Sequence, residues 1–535
     1  MVVMANTVSV IVLALLAPTQ PLSLLVLHPV LSGSHVLSMH AITKQMLNRG
    51  HSVTIVKFHE RKLPPITSHS NLTLIDLSVD NSEGNLDFVE KTKNGEFRYP
   101  MQDVWSMGDS IQIYPKFAMA FLEMVLAACN AQLSPLLYEQ LSQQVYDVAL
   151  VDLITNECGL ALASRLGVPV VGWAIDPSVG ALDFSTITSL PSHTPVISTA
   201  LPAQMSFLQR TYNLSLKAAG LLWHYYWTSR IDHHLSHIFG PTPSVRELVG
   251  NISGVLLNSH AALCNARSLP PSYINIGGFQ INEYPGQLPS SIEQFIEESG
   301  RDGVILFSLG FIFDPASVPT KVVTTLLSAF SRLPQRVIFK SNSSEVVAPI
   351  PSNVMMVPWV PQQAILAHPA TKLFITHCGI NGVLEAIYHG VPMVGMPIFM
   401  DQPDNLARIV EHGIGLGLNK FASEEEVVSV VEEVRDNPIY RTRVKELGKL
   451  IKLKRNSPME DAIWMLEYVS KTRGAEHLKL PSRHLNMLQY YSLDSLLALG
   501  LLIALPIWCL KHCLKQSEGR KISRANILKP LNAVY

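Results

Sequence analysis

The sequence predicts an α/β protein of two similar units, each a parallel sheet flanked by helices, followed by one apolar helix near the C-terminus. Three observations lead there. Short leucine-rich or β-branched runs alternate with helical stretches early in the chain and again after residue 300, the rhythm of β-α-β crossovers. A proline-rich passage over residues 269–289, containing Gly277-Gly278, separates the two series. Residues 495–510 are apolar throughout.

Composition narrows the function classes. The chain has 535 residues, enough for two or three domains, with a formal net charge of −1. Without a basic footprint it is not a nucleic-acid binder. Hydrophobic residues make up 47% and charged residues only 16%, a balance expected of a protein that meets membrane or binds apolar ligands. The cysteines form no CxxC and no cluster with histidine, which disfavours structural zinc. Cys509 and Cys513 lie near the apolar run, so Cys129, Cys158, Cys264 and Cys378 remain for disulfides, and spacing names no pair. N-x-S/T sequons at Asn71, Asn213, Asn251 and Asn342 become glycosylation candidates if the chain enters the secretory pathway.

At the N-terminus, an apolar stretch over residues 8–16 precedes Ala17-Pro18. It reads as the core of a cleaved signal over residues 1–20, with an uncleaved anchor as the alternative. Residues 22–27 make a first strand, Gly33-Ser34-His35 a loop, the next stretch to Arg49 a helix stopped by Gly50, and residues 53–56 a second strand. This opening is Rossmann-like but lacks GxGxxG. Residues 60–144 are irregular, with helical stretches such as 117–128. Order returns at a strand over 148–151 that ends in Asp152, then a helix to Arg165 and a strand near 168–171. Residues 190–202, rich in Pro, Ser and Thr, read as a surface loop. The aromatic segment 221–227 reads as a packed helix, with a membrane-surface position as the alternative. The second unit opens with a strand at 304–307 that turns at Ser308-Leu309-Gly310, and another strand ends at Lys340.

Residues 359–402, WVPQQAILAHPATKLFITHCGINGVLEAIYHGVPMVGMPIFMDQ, carry the densest pattern. A buried strand ends at Thr376 and is followed by His377-Cys378-Gly379 and a helix bearing Asn381 and Glu385. A second apolar run, 391–396, leads to Asp401 and Gln402. In an open parallel sheet, ligands bind where strands end and helices begin. The helix opening at Gly379 aims free N–H groups and its positive dipole end at an anion, a geometry suited to a diphosphate.

This stretch resembles the nucleotide-sugar signature of the UDP-glycosyltransferases, most closely the animal UDP-glucuronosyltransferases. The resemblance implies the GT-B fold, two Rossmann-like domains with the active site in the cleft, plus a C-terminal membrane helix. It implies that Trp359 stacks on uracil, Gln362 reads the base or ribose, and Glu385 holds the ribose hydroxyls. His377, Gly379 and Asn381 would hold the phosphates, Asp401 and Gln402 the sugar hydroxyls. The Ser308 turn approaches the diphosphate, and Arg267 reaches a phosphate or a sugar carboxylate. GSH and the Asp after the later strand match the family's His–Asp dyad, so His35 would be the general base and Asp152 its partner. No metal is required; the chain lacks D-x-D, and the UDP-sugar is a co-substrate rather than a cofactor. Three departures stand out: Cys378 replaces a second Gly, Phe311 a small residue, and Lys340 an Arg.

The expected layout is a signal (1–20), an acceptor-binding domain (21–280), a UDP-sugar-binding domain (281–455), a return helix and juxtamembrane segment (456–490), a membrane helix (491–510) and a cytoplasmic tail (511–535). The tail carries six Lys/Arg against one Glu, a positive flank that favours the cytosol. It ends NAVY rather than in a dilysine retention signal. The resemblance implies a single-pass protein of the endoplasmic reticulum with luminal catalytic domains, compatible with a homo-oligomer. It would transfer glucuronic acid with inversion to a hydroxyl of a small lipophilic acceptor. The rival readings are a UDP-glucose or UDP-galactose enzyme acting on a lipid or small molecule, and a non-catalytic binder of apolar ligands.

Overall fold

The structure is a computed structural model that describes residues 21–29, 33–58, 69–77, 90–91, 97–98, 105, 114–176, 182, 190–310, 318–341, 348–453 and 456–527. The expected signal, Phe311, the Asn342 sequon and the final NAVY lie outside the described residues.

The first sheet contains β1 (Ser23–Leu27), β2 (Ser52–Phe58), β3 (Leu72–Leu77), β6 (Val148–Asp152), β7 (Val170–Ala174), β8 (Gly254–Leu257) and β9 (Tyr273–Asn275); β4 (Glu90–Lys91) and β5 (Phe97–Arg98) form a separate short hairpin. Its order is β3-β2-β1-β6-β7-β8-β9, and every pairing is parallel. The chain builds outward from β1 in one direction, then returns beside β1 and builds in the other. The β1/β6 boundary is therefore the switch point, where the carboxyl ends of neighbouring strands open a crevice. Leu27 pairs with Val151 there, one residue before Asp152.

The second sheet repeats the plan with β10 (Val304–Ser308), β11 (Arg336–Lys340), β12 (Val354–Val357), β13 (Thr371–Thr376), β14 (Met393–Gly395) and β15 (Gly415–Gly417), in the order β12-β11-β10-β13-β14-β15. Its switch point lies between β10 and β13, where Ser308 pairs with Thr376. Helices cover both faces, so these strands are buried on both sides and read as continuous apolar runs. In β10 the residues alternate between two cores: Ile305 and Phe307 pack on one face, Val304 and Leu306 on the other. Trp105, from the stretch assigned to the first domain, is fully buried in the core of the second sheet.

Four helices position the first crevice. Helix α1 (Ser34–Asn48) follows β1, and α2 (Tyr114–Gln132), α3 (Glu157–Arg165) and α4 (Phe207–Phe239) cover the sheet. The Cys129–Cys158 disulfide ties α2 to the first turn of α3. In α4, Trp227 is buried against Phe121 and Trp223, while Leu222 and Tyr225 of the same segment face outward. In the second sheet, α5 (Ile380–His389) follows β13 and α6 (Gln402–Glu411) follows β14. Helix α7 (Pro458–Lys471) returns to the first sheet, burying Ile463, Met465 and Leu466 against Leu24, Val26 and Val171. Each such side chain contributes roughly 1.5–3 kcal/mol.

Residues from Pro481 onward form a separate compact unit. It holds α8 (Leu493–Ile527), whose segment Leu493–Ser517 has a mean hydropathy of 2.1 over its most apolar window and no buried residues. At 25 residues it is long enough to cross a bilayer, where the run 496–510 alone falls short of the ~20 needed.

Two expectations change. His35 lies in the first turn of α1 rather than in a loop, because Gly33 makes the turn with φ 85° and the helix starts at Ser34. Asn213 is a poor glycan acceptor in the folded protein. Its side chain is fully buried, with Oδ1 accepting from the Val196 N–H at 2.8 Å and Nδ2 donating to the Pro191 and Thr194 carbonyls. Asn71 and Asn251 are exposed.

Candidate functional site

The two switch points face one cleft. On the first-domain side, His35 Nδ1 lies 2.9 Å from Asp152 Oδ2, and Asp152 Oδ1 accepts the Ile154 N–H at 2.8 Å. The Trp173 ring meets the imidazole edge-on at 5.0 Å. Asp152 is fully buried, so its orientation is fixed by these two bonds and by strand β6. Burial works against the charged imidazole. The adjacent Asp152 carboxylate and its hydrogen bond, helped by Asp401 across the cleft, outweigh burial and raise the His35 pKa. With Nδ1 engaged, Nε2 is the nitrogen left for a proton.

On the second-domain side, β13 runs out at Thr376 and Gly379 caps α5. His377 sits between two glycines. A methyl group on Gly310 would meet its ring at 2.7 Å, and one on Gly379 at 2.5 Å. Burial, with the charge of Lys340 adding to it, lowers its pKa to about 4, so this imidazole is neutral at pH 7. Cys378 adopts φ 66°, a left-handed conformation that costs a non-glycine residue about 1–2 kcal/mol. That explains why a glycine suits this position. The Cys378 thiol is fully buried, and burial followed by the nearby Asp401 pushes its pKa far above the ordinary range.

Lys340 donates to the Gly310 carbonyl at 3.0 Å and lies 5.3 Å from the centre of the Trp359 ring. Burial lowers its pKa to about 8. Trp359 is half exposed, as a stacking platform must be. Gln362 donates to Glu385 Oε2 at 2.7 Å and Gln363 to Oε1 at 3.3 Å, so both carboxylate oxygens are oriented before any ligand arrives. Burial raises the Glu385 pKa to about 7, against these bonds and one from Gln280. Gln363 and Gln280 escaped the sequence reading; the doubled Gln at a helix start was the available signal.

Asp401 and Gln402 open α6. Asp401 Oδ2 accepts from Asn405 at 2.8 Å, and Gln402 Oε1 accepts the Ile398 and Phe399 N–H groups. Asn405 also donates to the Cys378 carbonyl at 2.9 Å, tying the two ligand loops together. It too was missed, although its spacing of four from Asp401 places both on one helix face. Arg267 is held by an ion pair: it bonds Asp176 Oδ1 at 2.9 Å, while Arg408 approaches Oδ2 at 3.4 Å. These three residues, with Asp401, Asp404 and Asn405, line one cleft.

Besides the Arg408–Asp176 ion pair, hydrogen bonds join the halves around Asn381 and around Asp404. Asn381 Nδ2 donates to Ser38 Oγ at 3.1 Å, and Asn258 Nδ2 donates to Asn381 Oδ1 at 2.7 Å. Asp404 accepts the Ser198 N–H at 2.6 Å and the Ala200 N–H at 2.8 Å, with Ser198 and Ala200 both left-handed at φ 68° and 53°. The loop 190–202 is thus held at both its own backbone and the second domain. Among the described residues no cluster of three or more His, Cys, Asp or Glu is arranged to hold a metal.

Residues 24–522 match the family model described as UDP-glucoronosyl and UDP-glucosyl transferase. The chain is 30% identical over 508 residues to UDP-glucuronosyltransferase 2A3 of Pongo abelii, covering 92% of this chain and 93% of that one. It is also 30% identical over 491 residues to UDP-glucuronosyltransferase 2B16 of Oryctolagus cuniculus, covering 88% and 89%. Among solved structures, a UDP-glucosyltransferase from Polygonum tinctorium superposes with a TM-score of 0.55 at 17% identity, covering 85% of this chain and all of that one. Os79 from O. sativa superposes with a TM-score of 0.54 at 17% identity, covering 83% and 100%. These structural neighbours establish the GT-B fold.

Proposed function

Because the chain belongs to the family of UDP-glucuronosyl and UDP-glucosyl transferases, and is a UDP-glycosyltransferase, we propose that it moves glucuronic acid from its UDP donor to the hydroxyl of a small lipophilic acceptor, with inversion. The observation that carries this reading is the His35–Asp152 pair at the first switch point, facing Asp401 at the start of α6 across the cleft. His35 Nε2 takes the acceptor proton as the oxygen attacks the anomeric carbon from the face opposite the diphosphate. The bond from that carbon to the phosphate oxygen breaks, and its electron pair leaves with UDP. Asp152 stabilises the imidazolium that forms. The N–H groups at the start of α5 and the neutral His377 stabilise the departing charge without a reorganisation cost. Trp359, Gln362 and Glu385 would seat the uridine, Ser308, His377, Gly379 and Asn381 the phosphates, and Asp401 and Gln402 the sugar.

One observation favours a neutral hexose as a second reading. Arg267 and Arg408 both engage Asp176, and the same cleft contains Asp401 and Asp404. A sugar carboxylate would have to share an arginine with Asp176, whereas glucose or galactose need no cation. Turnover of UDP-glucuronate, UDP-glucose and UDP-galactose with one phenolic acceptor, products identified by mass, decides between them. Absence of transfer from all three would overturn both.

For the setting, we read α8 as a single membrane anchor with its basic flank in the cytosol and the catalytic domains in the lumen of the endoplasmic reticulum. The Cys129–Cys158 disulfide supports an oxidising compartment. Protease added to sealed microsomes should then remove only the residues beyond the anchor; digestion of the whole chain would refute the topology.

A further inference from the structure

We propose that Ser38 and Asn381 are positioning residues that couple the donor-binding helix to the general base, their hydrogen bond setting the cleft closure at which the acceptor oxygen beside His35 meets the anomeric carbon. The proposal rests on the reading of His35 as the base, and adds what holds base and donor in register.

Ser38 follows His35 by three residues in α1, which places the two side chains on the same side of the helix, one turn apart. It is only 2% exposed, so its hydroxyl is confined to the partner it has. That partner, Asn381, is the second residue of α5, two positions after Gly379, where the helix presents its free N–H groups. A rigid displacement of α1 relative to α5 therefore moves His35 relative to the diphosphate by a similar amount.

Asn381 is held from a second direction. Asn258 donates to its Oδ1 at 2.7 Å, and the Asn258 backbone N–H is itself fixed to the Ala174 carbonyl at the end of β7. The Gln280 side chain reaches the Asn381 carbonyl at 3.5 Å. Two separate elements of the first domain, α1 and the segment after β8, thus converge on one amide of the second. The amide nitrogen carries two N–H groups. The bond to Ser38 uses one and leaves the other for a phosphate oxygen, so a single side chain can hold both the donor and the opposite domain. An ordinary interdomain contact would not need to converge on the first turn of the phosphate-binding helix. This contact links that turn directly to the helix bearing the base.

The test is Ser38→Ala, which removes the hydroxyl while placing a good helix former in the helix. Turnover at saturating donor and acceptor should fall about tenfold, the effect of one lost bond on the orientation of reacting groups. UDP affinity by calorimetry should stay within about twofold, since the uridine contacts lie in the second domain. The acid limb of the pH–rate profile should keep its position, because the hydroxyl carries no charge. Ser38→Thr, which restores a hydroxyl, should recover most of the turnover. Asn258→Ala combined with Ser38→Ala should be less than multiplicative, since both act through Asn381. Unchanged turnover in Ser38→Ala overturns the proposal. So does a parallel loss of UDP affinity, which would make Ser38 part of the donor site. His35→Ala assayed alongside separates the two levels: if it is inactive while Ser38→Ala is normal, the coupling fails and the base assignment stands; if it is active, both fail.

Discussion

Replacing Asp152 by asparagine keeps the shape of the site and removes a charge. In the native protein the carboxylate lies 2.9 Å from His35 Nδ1, is fully buried, and is braced by the Ile154 N–H. A hydrogen bond to a charged group in such a setting is worth ~1.5–3 kcal/mol. The part of it gained as the imidazolium forms lowers the barrier, so its loss alone slows transfer by up to roughly 10–150-fold. The amide can also hold the imidazole in the wrong tautomer, which brings the expected loss to ~10²–10⁴-fold. The pH dependence supplies a second signature. The base must be neutral to act, and the pKa of His35 is raised, so wild-type kcat/KM should climb through a limb above pH 6.5. Asp152→Asn leaves burial as the main influence on His35, so the limb should move to lower pH while the plateau drops. The assay is kcat/KM for an aliphatic alcohol between about pH 5 and 9, an acceptor whose proton must be removed. A limb that stays in place would refute His35 as the titrating base. The same raised pKa also bears on stability. The His35–Asp152 interaction stabilises the fold fully below the unfolded pKa of histidine and is lost as pH rises through the folded value.

Other expectations concern the donor half and the scaffold. Glu385→Ala should weaken UDP binding about tenfold or more in calorimetry, as the ribose loses acceptors worth ~1–3 kcal/mol. With its pKa near 7, Glu385 should also make native UDP affinity rise between pH 6 and 8, and Glu385→Gln should flatten that rise. Cys378→Gly relieves the left-handed φ of 66° but loses a buried side chain, so stability should change by no more than ~1 kcal/mol and turnover by about threefold at most. Its buried, protonated thiol should make turnover indifferent to mild oxidant in both forms; an oxidant effect abolished by the glycine would contradict that. Opening the Cys129–Cys158 link, which spans 29 residues, should destabilise the folded chain by ~3.5 kcal/mol in denaturant unfolding.

The parts of the fold that could be read directly were those where local chemistry and tertiary position coincide. β10 and β13 are buried on both faces, and their short apolar runs, 304–307 and 373–375, are what a central parallel strand requires. β9 was hidden because it is a half-buried edge strand inside a proline-rich stretch, where composition argues for a linker. Helix α4 spans 33 residues with little amphipathic contrast, so only its aromatic middle attracted notice. In the site, residues within one contiguous stretch were recognisable as a set. Ser38, Asn258 and Gln280 were not, because each owes its significance to Asn381, more than a hundred residues further along the chain. The Asn213 sequon shows the converse: a three-residue pattern carries no information about burial, and that carboxamide serves as a bracket for the loop before α4.

That loop has a mechanical consequence. Its grip on Asp404 stretches two backbone N–H groups toward one carboxylate while Ser198 and Ala200 sit in a conformation that, by steric preference, they would leave if released. Separating the domains to let UDP out thus breaks these two bonds and that from Ser198 Oγ to the Met400 carbonyl but relaxes two residues, so the energetic barrier to opening is lower than the bond count suggests. Burial raises the Asp404 pKa to about 6, and protonation weakens its hold on the N–H groups. Domain opening should therefore accelerate in mildly acid solution, visible as faster hydrogen exchange at Ser198 and Ala200 after correction for the intrinsic rate. In an enzyme limited by product departure, the pace of the catalytic cycle would be set at this loop rather than at the reacting bond.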